Sequence, residues 1–126
     1  MGVMASLVIF SIDVDRLATF YASLLGARRI GERSGDVRLR TERDEVLVHS
    51  VPAAIAERIE VSVPPEPREG AAIKPVFEVA SLDVALERVR GGGGVVTNRS
   101  FVLEGVARHD VMDPDGNVVQ LRCPVS

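Results

Sequence analysis

The stretch DPDGNVVQLRCP (113–124) contains the pattern that decides the fold. Pro114 fixes its own φ angle, Gly116 supplies a positive φ, and the Asp and Asn side chains bond the local backbone. The stretch therefore predicts a tight hairpin turn followed by a strand over 117–123. Because side chains alternate between the two faces of a strand, Gln120 and Arg122 fall on the same face.

A second copy of this strand lies earlier in the chain. The segment EVLVHSVP (45–52) aligns with NVVQLRCP (117–124) at an offset of 72 (120 − 48), and both segments end in proline. This alignment places Val48 at the position of Gln120. Self-similarity at a fixed spacing indicates a repeated structural unit.

The segments before these strands repeat as well, in the order strand, helix and three strands. A strand over 8–12 precedes a helix over 16–25 that stops at Gly26, and a strand over 73–80 precedes a helix that starts after Ser81 and stops at Gly91–Gly94. Asp15 and Asp83 are 68 positions apart (83 − 15), so about four extra residues are expected around 98–105. The predicted later strands cover 27–30, 37–41 and 45–50 in the first half and 95–97, 106–112 and 117–123 in the second.

These patterns predict one α+β domain over residues 1–126, made of two βαβββ modules. The half-repeats cover about 4–52 and 73–124, and a linker over 53–72 joins them, with a short helical stretch (53–59) and the extended segment PPEP (64–67). A chain of 126 residues is the size of one domain, and 46% hydrophobic with 26% charged residues is a composition that folds.

Charge and cysteine content exclude several partners. The formal net charge is −3, with 15 basic residues dispersed among 18 acidic ones, which predicts no nucleic-acid partner. The apolar runs are too short to cross a membrane, and a single cysteine rules out an internal disulfide. We expect a cytoplasmic protein that binds neither nucleic acid nor a membrane.

In these motifs the chain resembles the vicinal oxygen chelate superfamily, which contains glyoxalases, bleomycin resistance proteins and extradiol dioxygenases. The resemblance rests on Phe20-Tyr21 and Leu24-Leu25-Gly26 in the first helix, on 77–83 at the start of the second, and above all on 113–121. It implies paired βαβββ modules, a curved, mostly antiparallel cup-like sheet around a ligand cavity, and frequent homodimers. In the superfamily's enzymes it also implies a divalent metal held by His, Gln or Glu.

The implied metal positions carry poor ligands here. They fall on Ser6 or Leu7, on Val48, on Lys74 and on Gln120. Valine cannot coordinate, a lysine ammonium repels a cation, and a neutral amide is a weak ligand by itself. The sequence therefore predicts no metal and no cofactor. The rival reading is a slipped alignment in which His49 or His109 is a ligand, but a one-residue slip reverses the face, so His49 is expected to point away from the cavity.

Candidate ligand-binding residues are Lys74, Gln120, Arg122, Arg38, Arg40 and His109; no catalytic residue is assigned. Lys74 is expected to favour carboxylate or phenolate ligands, or to pair with an acidic neighbour such as Glu78. Arg38 and Arg40 share a strand face, which fits an anion clamp and a solvated face equally well. His109 stands beside Asp110, but neighbours in a strand face opposite sides, which favours a partly exposed strand histidine.

The function predicted from these observations is a metal-free protein that sequesters an unidentified small organic ligand, leaning away from catalysis. One alternative is an enzyme of the superfamily, either a metal-dependent lyase or dioxygenase or an isomerase that uses Lys74 and His109. Another is a partner-binding module without a cavity. A curved sheet with uncovered strand edges, together with the resemblance, predicts a homodimer.

Overall fold

The computed structural model describes residues 5–33, 35–60, 63–67 and 71–125. The chain divides into two compact units, Met1–Glu60 and Val61–Ser126. The division falls inside the predicted linker over 53–72, of which residues 61, 62 and 68–70 lie outside the described part, as do residues 4 and 34 of the first half-repeat.

The first unit contains β1 (Ala5–Ser11), α1 (Val14–Leu25), β2 (Arg28–Arg33), β3 (Asp36–Arg40), β4 (Asp44–Ser50) and the short α2 (Ala53–Ala56). Its strands form one mixed sheet in the order β1-β4-β3-β2. β1 runs parallel to β4, and the other two pairs are antiparallel.

The second unit repeats this arrangement with β5 (Val76–Glu78), α3 (Leu82–Gly91), β6 (Val95–Leu103), β7 (Val106–Met112) and β8 (Val118–Pro124). The strand order β5-β8-β7-β6 is the same, and β5 runs parallel to β8. The predicted βαβββ order is therefore present in both units. β6 is longer than the predicted strand over 95–97, because the extra residues around 98–105 extend the β6–β7 hairpin.

Capping residues set the limits of both long helices. The Asp13 carboxylate accepts a hydrogen bond from the backbone N–H of Arg16 at 3.2 Å, and the Ser81 hydroxyl accepts one from Val84 at 3.3 Å. Gly26 ends α1 in the left-handed region (φ 63°), which a residue without a Cβ adopts at little cost. Asp13 and Ser81 are 68 positions apart (81 − 13), which matches the offset seen in the sequence.

In each unit one helix packs on one face of the sheet. α1 contacts β3 and β4, and α3 contacts β6, β7 and β8. We call the side of the sheet that the helix covers the helix face, and the opposite side the second face. Along the strands, apolar residues on the helix face alternate with polar residues on the second face. The buried helix-face residues are Val37, Leu39, Val46 and Val48 in the first unit and Phe77, Val111, Val119 and Leu121 in the second.

The strand register corrects one alignment. Val8 pairs with Leu47 in the first unit, and Val76, 68 positions later (76 − 8), pairs with Gln120 in the second. The counterpart of Gln120 is therefore Leu47, at an offset of 73 (120 − 47), and not Val48. Four residues separate the paired Arg40 and Glu45, whereas five separate Met112 and Val118, so the additional residue lies in the β7–β8 turn.

Candidate functional site

An ion pair between Lys74 and Asp110 lies on the second face of the second unit. Lys74 Nζ donates to Asp110 Oδ2 at 2.7 Å, and Gln120 Nε2 donates to Asp110 Oδ1 at 3.3 Å. Asp110 is only 3% exposed, whereas the Lys74 side chain is 36% exposed. A buried carboxylate requires such partners, and here an ammonium and an amide supply them.

Sheet pairing explains why these residues meet. Asp110 and Gln120 stand directly opposite each other on β7 and β8, and directly opposed residues share a face. Gln120 N–H donates to the Pro75 carbonyl at 2.8 Å, which attaches the segment before β5 to β8 and brings Lys74 over the same face. The turn after Met112 sets the β7–β8 register, because the Asp113 carboxylate accepts bonds from the backbone N–H groups of Asp115 and Asn117.

Two arginines stand opposite each other one step further along the same face. Arg108 pairs with Arg122 across β7 and β8, and Arg108 Nη1 donates to Gln120 Oε1 at 2.9 Å. Arg122 Nε lies 3.9 Å from Glu78 Oε1, which is too long for a hydrogen bond. Within the described part of the chain, the buried Nε atoms of Arg108 and Arg122 have no hydrogen-bond partner.

We call this set the polar cluster; its members are Lys74, Glu78, Arg99, Arg108, Asp110, Gln120 and Arg122. Arg99 belongs to it because its Nε lies 3.7 Å from Asp110 Oδ2. The cluster contains four cationic side chains and two carboxylates, although the whole chain has a formal net charge of −3. The cluster is therefore a local excess of positive charge, and it suits an anion better than a cation.

His109 lies on the other side of the sheet from the polar cluster. It pairs with Leu121, a helix-face residue, and its Nε2 is 2.7 Å from the Thr97 carbonyl, which requires a proton on that nitrogen. The prediction that His109 and Asp110 face opposite sides is confirmed. An isomerase that uses Lys74 and His109 together is not supported, because the sheet separates the two side chains.

Arg38 and Arg40 share the second face of the first unit, as predicted. Glu45 lies between them, 3.1 Å from Arg38 Nε and 2.8 Å from Arg40 Nη2. Both arginines are about half exposed, and one carboxylate already pairs with both. This arrangement fits the solvated face better than the anion clamp.

The expected direction of His49 was wrong. His49 lies on the second face of its own sheet, next to Asp36 (3.4 Å) and Phe10 (ring centroids 5.3 Å apart), because the true counterpart of Gln120 is Leu47. His49 therefore corresponds to Arg122. Its Nδ1 lies 2.6 Å from the Ser50 carbonyl, so this nitrogen already has a partner in its own strand.

The residues at the implied metal positions do not fit a divalent metal. Lys74 carries a positive charge held by Asp110, and Gln120 Oε1, the one atom of this amide that could coordinate, accepts from Arg108 instead. Leu47, like Val48, has no donor atom. Among the described residues, no group of three His, Cys, Asp or Glu side chains could hold a metal ion.

Four members of the polar cluster were not predicted as site residues, namely Glu78, Arg99, Arg108 and Asp110. A usable signal existed for two of them. A hairpin centred on Asp115 pairs residues at equal distances on either side, which brings Asp110 opposite Gln120 and Arg108 opposite Arg122. Arg99 lies within an irregularity of β6 between Val96 and Ser100, which no sequence pattern marked.

One carboxyl group outside the cluster titrates unusually. Burial raises the pKa of Asp44, at the start of β4, and the positive charge of Arg43 opposes this rise. The group lies at the far end of β4 from His49 and belongs to the first unit.

No helix in the described ranges is long and apolar enough to span a membrane.

No protein-family model matches the chain, and no curated protein matches it significantly. Solved structures do match. A glyoxalase/bleomycin resistance protein/dioxygenase family enzyme from Burkholderia phytofirmans PsJN is 17% identical, with 96% of this chain and 98% of that chain covered and a TM-score of 0.74. A glyoxalase/bleomycin resistance protein from Albidiferax ferrireducens T118 is 15% identical (95% and 97% covered, TM-score 0.68). The fosfomycin resistance protein FosX from Mesorhizobium loti is 14% identical (98% and 92% covered, TM-score 0.67).

Proposed function

The chain has the fold of the glyoxalase, bleomycin resistance and dioxygenase proteins, and from this premise we propose that it binds a small organic molecule without a divalent metal. A shared fold does not determine chemistry, so the proposal rests on the side chains. We place the ligand on the second face of the second unit, over the polar cluster.

The observation that carries the proposal is the Lys74–Asp110–Gln120 arrangement. In the resemblance, the positions of Lys74 and Gln120 belong to metal ligands. Here the two side chains instead bond the same buried carboxylate, at 2.7 Å and 3.3 Å. Small-molecule sites typically have a small number of polar groups that converge on an apolar wall. Here the apolar residues Val76 and Met112 flank the arrangement on the same face.

A metal-dependent lyase or dioxygenase is the rival function. It needs a set of protein ligands that the described residues do not bring together in either unit. A partner-binding module is the other rival, and it would leave small molecules without effect on thermal stability.

The test is a thermal-shift screen of small aromatics, antibiotics and carboxylates with protein dialysed against EDTA. A ligand that binds only the native state raises the melting temperature, so we expect hits at tens of micromolar. The Lys74→Ala variant should lose the shift, and Arg90→Gln, which alters an exposed residue of α3 on the other side of the sheet, should retain it. A screen without hits, or stoichiometric zinc, nickel, iron or manganese that EDTA removes, would overturn the proposal.

A second readout uses the fact that Lys74 is the only lysine in the chain. An amine-acylating reagent therefore reports on this one side chain, and the N-terminal amine serves as an internal reference. A ligand bound over the polar cluster should slow acylation of Lys74 and leave the N-terminal amine unaffected. Equal protection of both amines would place the ligand elsewhere.

The proposal includes a homodimer in the cytoplasm. β6 is an edge strand of its sheet, and Phe101, Val102 and Leu103 near its end are 41%, 65% and 54% exposed. An exposed apolar edge strand favours association with another strand.

The single cysteine, Cys123, is a free thiol, which suits a reducing compartment.

A further inference from the structure

We infer that Arg108 and Arg122 form a receptor for the carboxylate group of an organic acid, which extends the proposed function by naming the ligand class. The two arginines are directly opposed on β7 and β8 and project from the same face. Opposed residues of an antiparallel pair have Cα atoms roughly 5 Å apart, so the two arginine side chains leave the sheet from adjacent positions. One small anion can contact both.

Such an arrangement is unfavourable in the ligand-free protein. Like charges directly opposite each other on a sheet repel. A buried N–H without a partner has lost its hydrogen bonds to water, and no other hydrogen bond compensates for that loss. Both Nε atoms are buried and have no hydrogen-bond partner among the residues that the structure describes. An oxyanion between the arginines would remove the repulsion, and guanidinium groups that turn towards it would gain a partner for their Nε atoms.

Neither carboxylate of the cluster forms a hydrogen bond with the Nε atom of Arg108 or Arg122. Asp110 is engaged by Lys74 and Gln120, and Gln120 is in turn held by Arg108 Nη1 at 2.9 Å. Glu78 Oε1 stands 3.9 Å from Arg122 Nε, beyond hydrogen-bond distance. Lys74 already pairs with Asp110. The arginine pair therefore offers the donors that remain for an anion.

The neighbour of Arg108 on β6 indicates what the rest of the ligand looks like. Phe101 pairs with Arg108, so one row across the sheet reads Glu78, Arg122, Arg108 and Phe101. Phe101 is 41% exposed, which leaves an apolar ring surface beside the cationic pair. A carboxylate joined to an aromatic or apolar body matches this row, with its charged end on the arginines and its body toward Phe101.

The experiment compares benzoate with benzamide, its neutral isostere, by protein-observed NMR titration at constant ionic strength, with inorganic phosphate as a third probe. Benzoate should bind at least about tenfold more tightly than benzamide, because hydrogen bonds to charged groups are the strong ones. Arg122→Gln should weaken benzoate binding by a similar factor and leave benzamide binding unchanged. Arg90→Gln removes the same charge from α3, and benzoate should bind it as it binds the parent.

Arg122→Lys separates charge from geometry. It preserves the charge but lacks the Nε donor, so we expect it to recover less than half of the lost binding free energy. Arg108→Gln is the second test, and the NMR spectrum of each variant reports whether the fold is intact, because Arg108 also holds Gln120. An Arg122→Gln variant that is folded and binds benzoate as the parent does would overturn the receptor.

Three other results have definite meanings. If benzamide binds as tightly as benzoate, or if only neutral compounds from the screen bind, the receptor is wrong while the proposed function stands. If phosphate binds and benzoate does not, the assignment to a carboxylate with an apolar body is wrong. If no compound of any charge binds, the proposed function itself fails.

Discussion

Asp110 is the residue on which the polar cluster depends. Its carboxylate is almost completely buried and accepts from both Lys74 and Gln120, so the loss of either donor leaves a buried charge less well compensated. Lys74 is more than a third exposed, and water therefore weakens its attraction to Asp110. The contribution of the pair to stability should accordingly be moderate.

We expect Lys74→Met to lower the free energy of unfolding by about 1–3 kcal/mol, because it leaves the buried Asp110 carboxylate with one amide and with Arg99, an exposed side chain 3.7 Å away. The double variant Lys74→Met/Asp110→Asn should recover part of this loss, since no charge then remains to be compensated. Urea denaturation of the parent, both single variants and the double variant measures the coupling. Additive losses would show that the two side chains do not interact.

The same three residues offer a test of why the site does not suit a metal. Lys74→His combined with Gln120→Glu places an imidazole and a carboxylate where the ammonium and the amide now surround Asp110. Three such side chains are a ligand set that zinc accepts. Calorimetric titration should detect zinc binding to the double variant and none to the parent. Zinc binding by the parent with equal affinity would contradict the conclusion that Lys74 and Gln120 do not suit a metal.

At the level of strands and turns, the sequence predicted the order and faces of the elements well. Capped helices and a turn with Pro114 and Gly116 are local signals, which explains why the βαβββ order in both units and the shared face of Gln120 and Arg122 are confirmed. Register was predicted less well. One additional residue in the β7–β8 turn shifted the alignment of β4 with β8, and a shift of one residue exchanges the two faces of a strand.

This explains both the misplacement of Val48 and the wrong direction of His49. The side-chain contacts within the polar cluster could not be predicted from the sequence. That Lys74 would pair with Asp110 and not with Glu78 depends on how the segment before β5 attaches to β8 through Pro75. No spacing within the sequence encodes that contact.

The turn between β2 and β3 provides a stability prediction. Gly35 has a φ of 82°, and a Cβ added there would lie 2.7 Å from Ser50 Oγ. Gly35→Ala should lower the free energy of unfolding by about 1–2 kcal/mol, from the left-handed backbone and the displaced serine together. Gly31→Ala in β2 is the matched control, because a Cβ there meets nothing within 4 Å, and it should change stability by less than about 0.5 kcal/mol. Thermal or urea denaturation would show the difference, and equal effects would refute it.

At the scale of the whole molecule, we predict that the chain forms a homodimer through β6. Light scattering at micromolar concentration should give twice the mass of one chain. Val102→Lys should shift the population toward monomer, because a charge on an edge strand opposes strand addition. Val84→Lys is the control, since Val84 is also exposed (45%, against 65% for Val102) but lies on α3, and it should leave the mass unchanged. A monomeric parent would rule out the prediction.

The parallel pairing of the first and last strands of each unit has a consequence for the kinetics of folding. β1 must find β4 across 39 positions (44 − 5), and β5 must find β8 across 44 (120 − 76), whereas the hairpins between them close over a few residues. Closing a long loop costs more chain entropy than closing a short one, so we expect the hairpins to form first and β1 and β5 to dock late. The short β5 follows the segment that carries Lys74, so the ion pair with Asp110 is completed only when β5 docks. Substitutions that weaken this docking should therefore accelerate unfolding and leave the folding rate nearly unchanged.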